Sequence, residues 1–191
     1  MNTSEIAILD TQRWLERAVI GLNLCPFAKA VHVKGLIHYA VSEAKTPAEL
    51  LIDLKNELNS LTNMGVAGVS IAYDTTLLIA PYCLQDFLDF NDLLGKADKL
   101  IAKMKLEGTI QLANFHPQYQ FAGTAPDDIT NFTNRAPYPT LHLLRESSID
   151  QAVEAFPEAE AIFEVNMQTM ERLGLKGWDA LQVGATLNTT P

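Results

Sequence analysis

Apolar residues recur at helical spacing in several stretches of the chain. Leu15, Val19 and Leu22 share one face of a segment from about Ser4 to Leu24, which predicts an amphipathic helix ended by Pro26. Thr46-Pro47-Ala48-Glu49 is a capping box with proline at the first helical position, and Leu51, Leu54, Leu58 and Leu61 follow at helical intervals. Phe87, Phe90, Leu94, Ala97, Ile101 and Met104 keep the same rhythm, predicting a long helix over Gln85 to Leu106 that Gly95 weakens only slightly. Ser148-Ile149-Asp150-Gln151 opens a short helix that Pro157 ends, and Ala159 to Leu173 forms another that Gly174 stops.

Between the helices lie short β-like runs: Leu36 to Val41, Thr76 to Ala80, Thr109 to Phe115 and Thr140 to Leu144. Alternating strands and helices argue for a parallel arrangement of at least the first three strands, joined by helical crossovers. His38, Gln111 and His142 interrupt the runs, so one sheet face is expected to be partly polar. The fold class that follows is α/β: a single-domain sandwich with a mixed, mostly parallel sheet of about four strands and helices mainly on one face. The first and last helices remain available to cover the second face. One domain over residues 1–183 is expected, with 184–191 as a frayed tail, because Asn188-Thr189-Thr190-Pro191 holds nothing to bury.

Residues 116–140 are not explained by packing alone. They join the third strand to the fourth over about 25 residues, whereas structureless connections beyond about 15 residues are usually functional or disordered. Four prolines and the aromatic residues Tyr119, Phe121, Phe132 and Tyr138 favour a fixed shape, which predicts an ordered lid or site loop. His116, Asp127, Asp128, Asn131, Asn134 and Arg135 all lie in it, and His142 follows on the next strand. Ligands of α/β sheets bind beyond the carboxyl ends of the strands, where His116 would sit. His116 is a candidate acid or base, or else a histidine bonded to a loop carbonyl. Arg135 either forks onto an anionic ligand or pins the loop through Asp127 or Asp128. His142 is either a second catalytic histidine or a half-buried one satisfied by a single bond. If the fourth strand runs antiparallel beside the third, His116, Arg135 and His142 are expected to converge in one pocket.

Two cysteines complete the candidate chemistry. Cys25 ends a helix, where the dipole raises a thiol pKa, so a reactive thiol there needs a basic neighbour such as Lys29, His32 or His116; otherwise it is a small core residue. Cys83 precedes the long helix, whose N-terminus lowers a thiol pKa, though its apolar neighbours favour burial. No HxH, HExxH or CxxC spacing supports a metal, and no GxGxxG, GxxxxGK[ST] or GxSxG run supports a dinucleotide, a P-loop or a nucleophile elbow. Metal and cofactor are therefore left open.

Charge narrows the partners. The 191 residues carry 14 Lys plus Arg against 23 Asp plus Glu, a formal net charge of −9, which disfavours nucleic acid and anionic membrane surfaces. The first residues carry Glu5, Asp10, Arg13, Glu16 and Arg17 and read as neither a secretory signal nor a span, so a cytoplasmic protein with free thiols is expected.

Several blocks together carry a family resemblance. Trp14-Leu15-Glu16 leads to Asn23-Leu24-Cys25-Pro26-Phe27-Ala28; Thr75-Thr76-Leu77-Leu78, Asn91-Asp92, and Phe115-His116-Pro117 with Tyr119-Gln120-Phe121 follow; Asn134-Arg135 runs through Pro137-Tyr138-Pro139 to His142-Leu143-Leu144-Arg145-Glu146. With these the chain resembles, over nearly its whole length, an uncharacterised bacterial family catalogued as domain-of-unknown-function family 1415. The resemblance implies a bacterial protein and assigns no residue a role.

The residues themselves suggest a small cytoplasmic enzyme that binds an anionic small molecule at the carboxyl edge of its sheet. Arg135 would anchor the anion, His116 and His142 would supply acid/base chemistry, and Asn131 and Asn134 would orient polar groups beside Asp127 and Asp128. The rival is a non-catalytic binding or assembly module that presents the same loop, with Tyr119, Phe121 and Tyr138, to a protein partner. Thiol redox chemistry is a third option and requires an exposed cysteine of low pKa.

Overall fold

A computed structural model describes residues 1–63, 73–154 and 161–187. Helix α1 (Thr3–Trp14) opens with a capping box in which Asn2 and Glu5 bond each other's backbone N–H. It continues as a π-helix over Leu15–Ile20, with Gly21 N–H on the Glu16 carbonyl at 3.0 Å and Leu24 N–H on the Val19 carbonyl at 2.8 Å. The predicted first helix is thus present, but its last third is wound more loosely. The wider turn rotates the face presented inward, so Leu15, Ala18 and Val19 are buried while Leu22 is only partly so.

The remaining elements are α2 (Ala28–Val33), β1 (Ile37–Val41), α3 (Pro47–Asn63), β2 (Thr75–Ile79), α4 (Phe87–Lys103), β3 (Ile110–Phe115), a 3₁₀ turn (Ile129–Asn134), β4 (Thr140–Arg145), α5 (Glu146–Glu154) and α6 (Ile162–Leu181). The expected Thr46 box starts α3, with Glu49 accepting from Thr46 N–H at 3.0 Å. Asp86 caps α4 by accepting from the N–H groups of Leu88 and Asp89. Helix α6 is broken at Gly174 (φ 64°) and resumes, so the predicted stop is a kink within a longer element. Pro157 and Ala159 lie outside the described residues.

The four strands form one mixed sheet in the order β1-β2-β4-β3. β1 and β2 pair in parallel, and β4 pairs antiparallel with both β2 and β3. Thus β1, β2 and β3 share one direction, as their helical crossovers require, while the long loop brings β4 back between β2 and β3 the other way. Two of the three ladders are therefore antiparallel. Val41 opposite Ile79, and Thr140 opposite both Ile79 and Phe115, place the carboxyl ends of β1 to β3 and both ends of the 116–140 loop at one sheet edge.

Alternation along the strands sorts the core into two layers. Leu78, Leu141, Leu143 and Ile110 meet α3 and α4 through Leu50, Leu54, Leu58, Phe90, Leu93, Ala97 and Ile101. On the other face, Ile37, Tyr39 and Phe115 meet Trp14, Leu15, Ala18 and Val19, with Trp178 and Leu181 of α6 alongside. The first and last helices therefore do cover the second face. Beyond α6, Thr186 binds buried Asp10 through its N–H and its hydroxyl, each at 2.7 Å, so residues 184–187 are fastened to α1; residues 188–191 lie outside the description. Among the described residues no helix is long and apolar enough to cross a membrane.

Candidate functional site

The 116–140 loop is built around its own polar side chains. Asn131, fully buried, accepts from Phe121 N–H at 2.9 Å and the Thr124 hydroxyl at 2.8 Å, and donates to the Ala125 carbonyl at 2.8 Å. Asp128 caps the 3₁₀ turn through the N–H and hydroxyl of Thr130, and these bonds hold its carboxyl below the usual range. The Asn134 carbonyl accepts from His116 N–H, and its side chain accepts from Thr133. Asp127 is exposed. Asn131, Asn134 and Asp128, expected to orient a ligand, are thus engaged in shaping the loop.

His116 is 0% exposed and lies beside the rings of Phe87 and Phe90. Its Nδ1 accepts from Gln118 N–H at 3.0 Å, so the proton sits on Nε2, which donates to the Leu84 carbonyl at 3.0 Å. Burial pushes its pKa down. Leu84 has a left-handed backbone (φ 57°), and the His116 ring holds its carbonyl in place. The side chain acts as a neutral clip between the loop and the start of α4.

His142 lies on the opposite side of the sheet. Its Nε2 is 2.7 Å from Thr75 Oγ1, whose own proton goes to the Leu143 carbonyl at 2.6 Å, so the histidine is the donor. Burial pushes its pKa down to about 4, although the residue as a whole keeps some exposed surface. Phe115, at a ring separation of 6.1 Å, shares its layer. The antiparallel fourth strand does bring both loop ends together, but His142 points into the α1 layer and His116 into the α4 layer. The three expected residues do not share a pocket.

Arg135 remains. Its Nε donates to the Tyr119 carbonyl at 3.2 Å, one terminal nitrogen donates to the Pro126 carbonyl at 2.5 Å, and the guanidinium covers the Phe132 ring at 4.0 Å. Neither Asp127 nor Asp128 pairs with it, and among the described residues no carboxylate lies within ion-pair distance of it. Desolvation lowers its pKa. It lines a shallow cleft of about 320 Å³ with Asp86, Phe87, Leu88, Gln118, Gln120 and Pro126. This cleft sits where α4 begins, at the carboxyl edge of the sheet, the place expected for a ligand. The sequence reading missed Asp86, Gln118 and Gln120. Asp86 was detectable as the cap of the long helix, but nothing local joins it to a loop some thirty residues on.

The thiols are separated by the sheet. Cys25 lies in the break between the π-helix and α2; burial raises its pKa, while the N–H groups of Phe27 and Ala28 act in the opposite sense. The thiol therefore faces the start of α2 as well as the end of the preceding helix. His32, one of its expected partners, lies 3.5 Å from Glu16. Cys83 is buried in the α3–α4 layer, where burial, with Glu49 and Asp53, pushes it up to about 11 and outweighs the nearby helix start. It lines a second shallow cleft of about 360 Å³ with Lys45, Lys96, Asp89 and Asp92. Among the described residues no group of three or more His, Cys, Asp or Glu side chains is arranged to hold a metal ion.

No curated protein and no solved structure is significantly similar to the chain. A family model does match, over residues 6–180, and on that match the chain belongs to the family described as protein of unknown function (DUF1415).

Proposed function

We propose that this is a bacterial cytoplasmic protein that binds the anionic group of a small organic molecule in the cleft between the 116–140 loop and the start of α4, with Arg135 as the anchor. One observation carries the reading: a half-buried guanidinium with unused N–H groups faces a cleft and has no carboxylate partner among the described residues. A cation stripped of part of its water without a counter-ion gains when an anion arrives. His116 stands outside this reading because both its ring nitrogens are engaged, and His142 because it opens to the other layer. The reading is therefore of binding, without an acid–base step at either histidine. Cytoplasmic residence is supported by two free cysteines in separate layers, and the net charge of −9 argues against nucleic acid or anionic membrane as partner.

The rival reading, a protein interface on the same loop, keeps Tyr119 and Phe121 but loses Tyr138, which is 0% exposed. Titration of the full chain with inorganic phosphate and with isocaproate, followed by amide NMR, separates the two. Shifts confined to the residues around Arg135, and lost in Arg135→Gln with the fold intact, are expected. Absence of any shift with either anion would overturn the proposal.

A further inference from the structure

We infer that the ligand of the Arg135 cleft is a zwitterion, a free α-amino acid with an apolar side chain, whose carboxylate meets Arg135 and whose ammonium meets Asp86. This rests on the anion-binding reading above and adds the second pole. The cleft holds one cation and one anion, Arg135 and Asp86. Both lie near the His116 ring, where they act on its charge with opposite sign.

Asp86 is not exhausted by its capping role. One oxygen, Oδ1, accepts from both Leu88 and Asp89 N–H, while Oδ2 accepts no hydrogen bond among the described residues. Gln120 adds an acceptor. Its amide nitrogen donates to the Thr124 carbonyl at 2.6 Å, its amide oxygen accepts no hydrogen bond among the described residues, and an oxygen recognises an ammonium or hydroxyl rather than an anion. The same features argue against a polyanion. The α4 N-terminus is already met by the Asp86 carboxylate, so its dipole is largely answered, and a second phosphate would face that carboxylate. A volume of about 320 Å³ lies at the low end for ligand pockets and suits a single small molecule. Phe87, Pro126 and Leu88, which is 71% exposed, add apolar surface to the same cleft for a side chain to cover.

The test uses the full chain and three probes: L-leucine, isocaproate, which is leucine without its amine, and N-acetyl-leucine, which keeps the carboxylate and blocks the ammonium. Asp86 is exposed, so the ammonium contributes the modest energy of a surface ion pair, and leucine is expected to bind about fivefold more tightly than either of the others. Asp86→Asn keeps a competent helix cap while removing the charge, and it should erase that preference without lowering the melting temperature appreciably. Equal binding of leucine and isocaproate, or a preference that survives Asp86→Asn, would overturn the zwitterion while leaving the anion site standing. Failure of all three probes and of inorganic phosphate would overturn both.

Discussion

The Tyr138 hydroxyl donates to Asp10 Oδ2 over 2.6 Å, joining the end of the long loop to the middle of α1 in a site where both residues are essentially inaccessible. Asp10 also accepts from Thr186, through N–H and hydroxyl, and from Arg13 at 2.5 Å. One carboxylate therefore ties three separate chain segments. Asp10→Ala strands the buried Tyr138 hydroxyl and releases half-buried Arg13 and exposed Thr186, and should cost about 3 kcal/mol, while Tyr138→Phe, which removes the bond to Asp10 and the one accepted from Leu187 N–H, should cost about 1 kcal/mol. Urea denaturation of both variants checks the ranking, and equal small effects would contradict it.

The same carboxylate sets an acid limit. Burial raises the Asp10 pKa, but the bonds from Tyr138, Thr186 and Arg13 outweigh it and hold the group below its ordinary value. With the native pKa depressed, this stability is present above the unfolded value, about pH 4, and is lost as pH falls through the native one. Stability against urea measured from pH 5 to pH 2 should fall more steeply in the wild type than in Asp10→Asn. Parallel curves would remove Asp10 as a cause.

The loop depends on two side chains that use backbone carbonyls. His116→Ala strands the Leu84 carbonyl and Gln118 N–H and opens a void beside Phe87 and Phe90, for an expected loss of about 3 to 5 kcal/mol. Arg135→Lys should cost about 1 kcal/mol, because an ammonium on a flexible stem cannot hold the Tyr119 and Pro126 carbonyls as the planar fork does. Thermal denaturation and limited proteolysis within 120–134 would report both, and a neutral His116→Ala would refute the clip.

How far the sequence was legible follows from where each signal lives. Local signals located β1, α3 and β4 to within about a residue at most boundaries, because the Thr46 box and the alternating runs act over a few neighbours. The fate of His116 and His142 was not legible. Their faces depend on strand order, and His116 is fixed by Leu84, 32 residues away. The cleft was half legible: Arg135 stood out as the lone cation of its loop, while Gln118 and Asp86 become its neighbours only when the loop folds back on α4. The π-helix was hidden because Leu15, Val19 and Leu22 also satisfy an α-helical period.

Gly21 carries the trace of that π-helix. A Cβ built on it would lie 2.3 Å from the Arg17 carbonyl oxygen, so alanine there must displace backbone. Gly21→Ala should destabilise by about 1 to 3 kcal/mol, the usual range for overpacking, despite alanine's better helix propensity. A gain in stability would mean the segment relaxes to an ordinary α-helix without penalty.

His142 makes the sharpest pH prediction. Its imidazole is neutral in the fold, with Nε2–H on Thr75, and its pKa of about 4 lies well below the value near 6.5 expected for an unfolded chain. As pH falls from 6.5 towards 4 the unfolded chain takes up a proton that the folded one refuses, so stability present at pH 7 is progressively lost across that window. The full shift corresponds to about 3 kcal/mol, and solvent screening at a partly exposed residue reduces the expected loss to about 2 kcal/mol. His116 is shifted in the same direction and adds a loss of the same sign as pH falls, so the share of His142 is the difference between wild type and His142→Gln, which keeps a donor for Thr75. Urea midpoints at pH 7 and pH 5 should move further apart in the wild type than in the variant. A folded-state NMR titration in which the His142 ring takes its proton near pH 6.5 would refute the assignment directly.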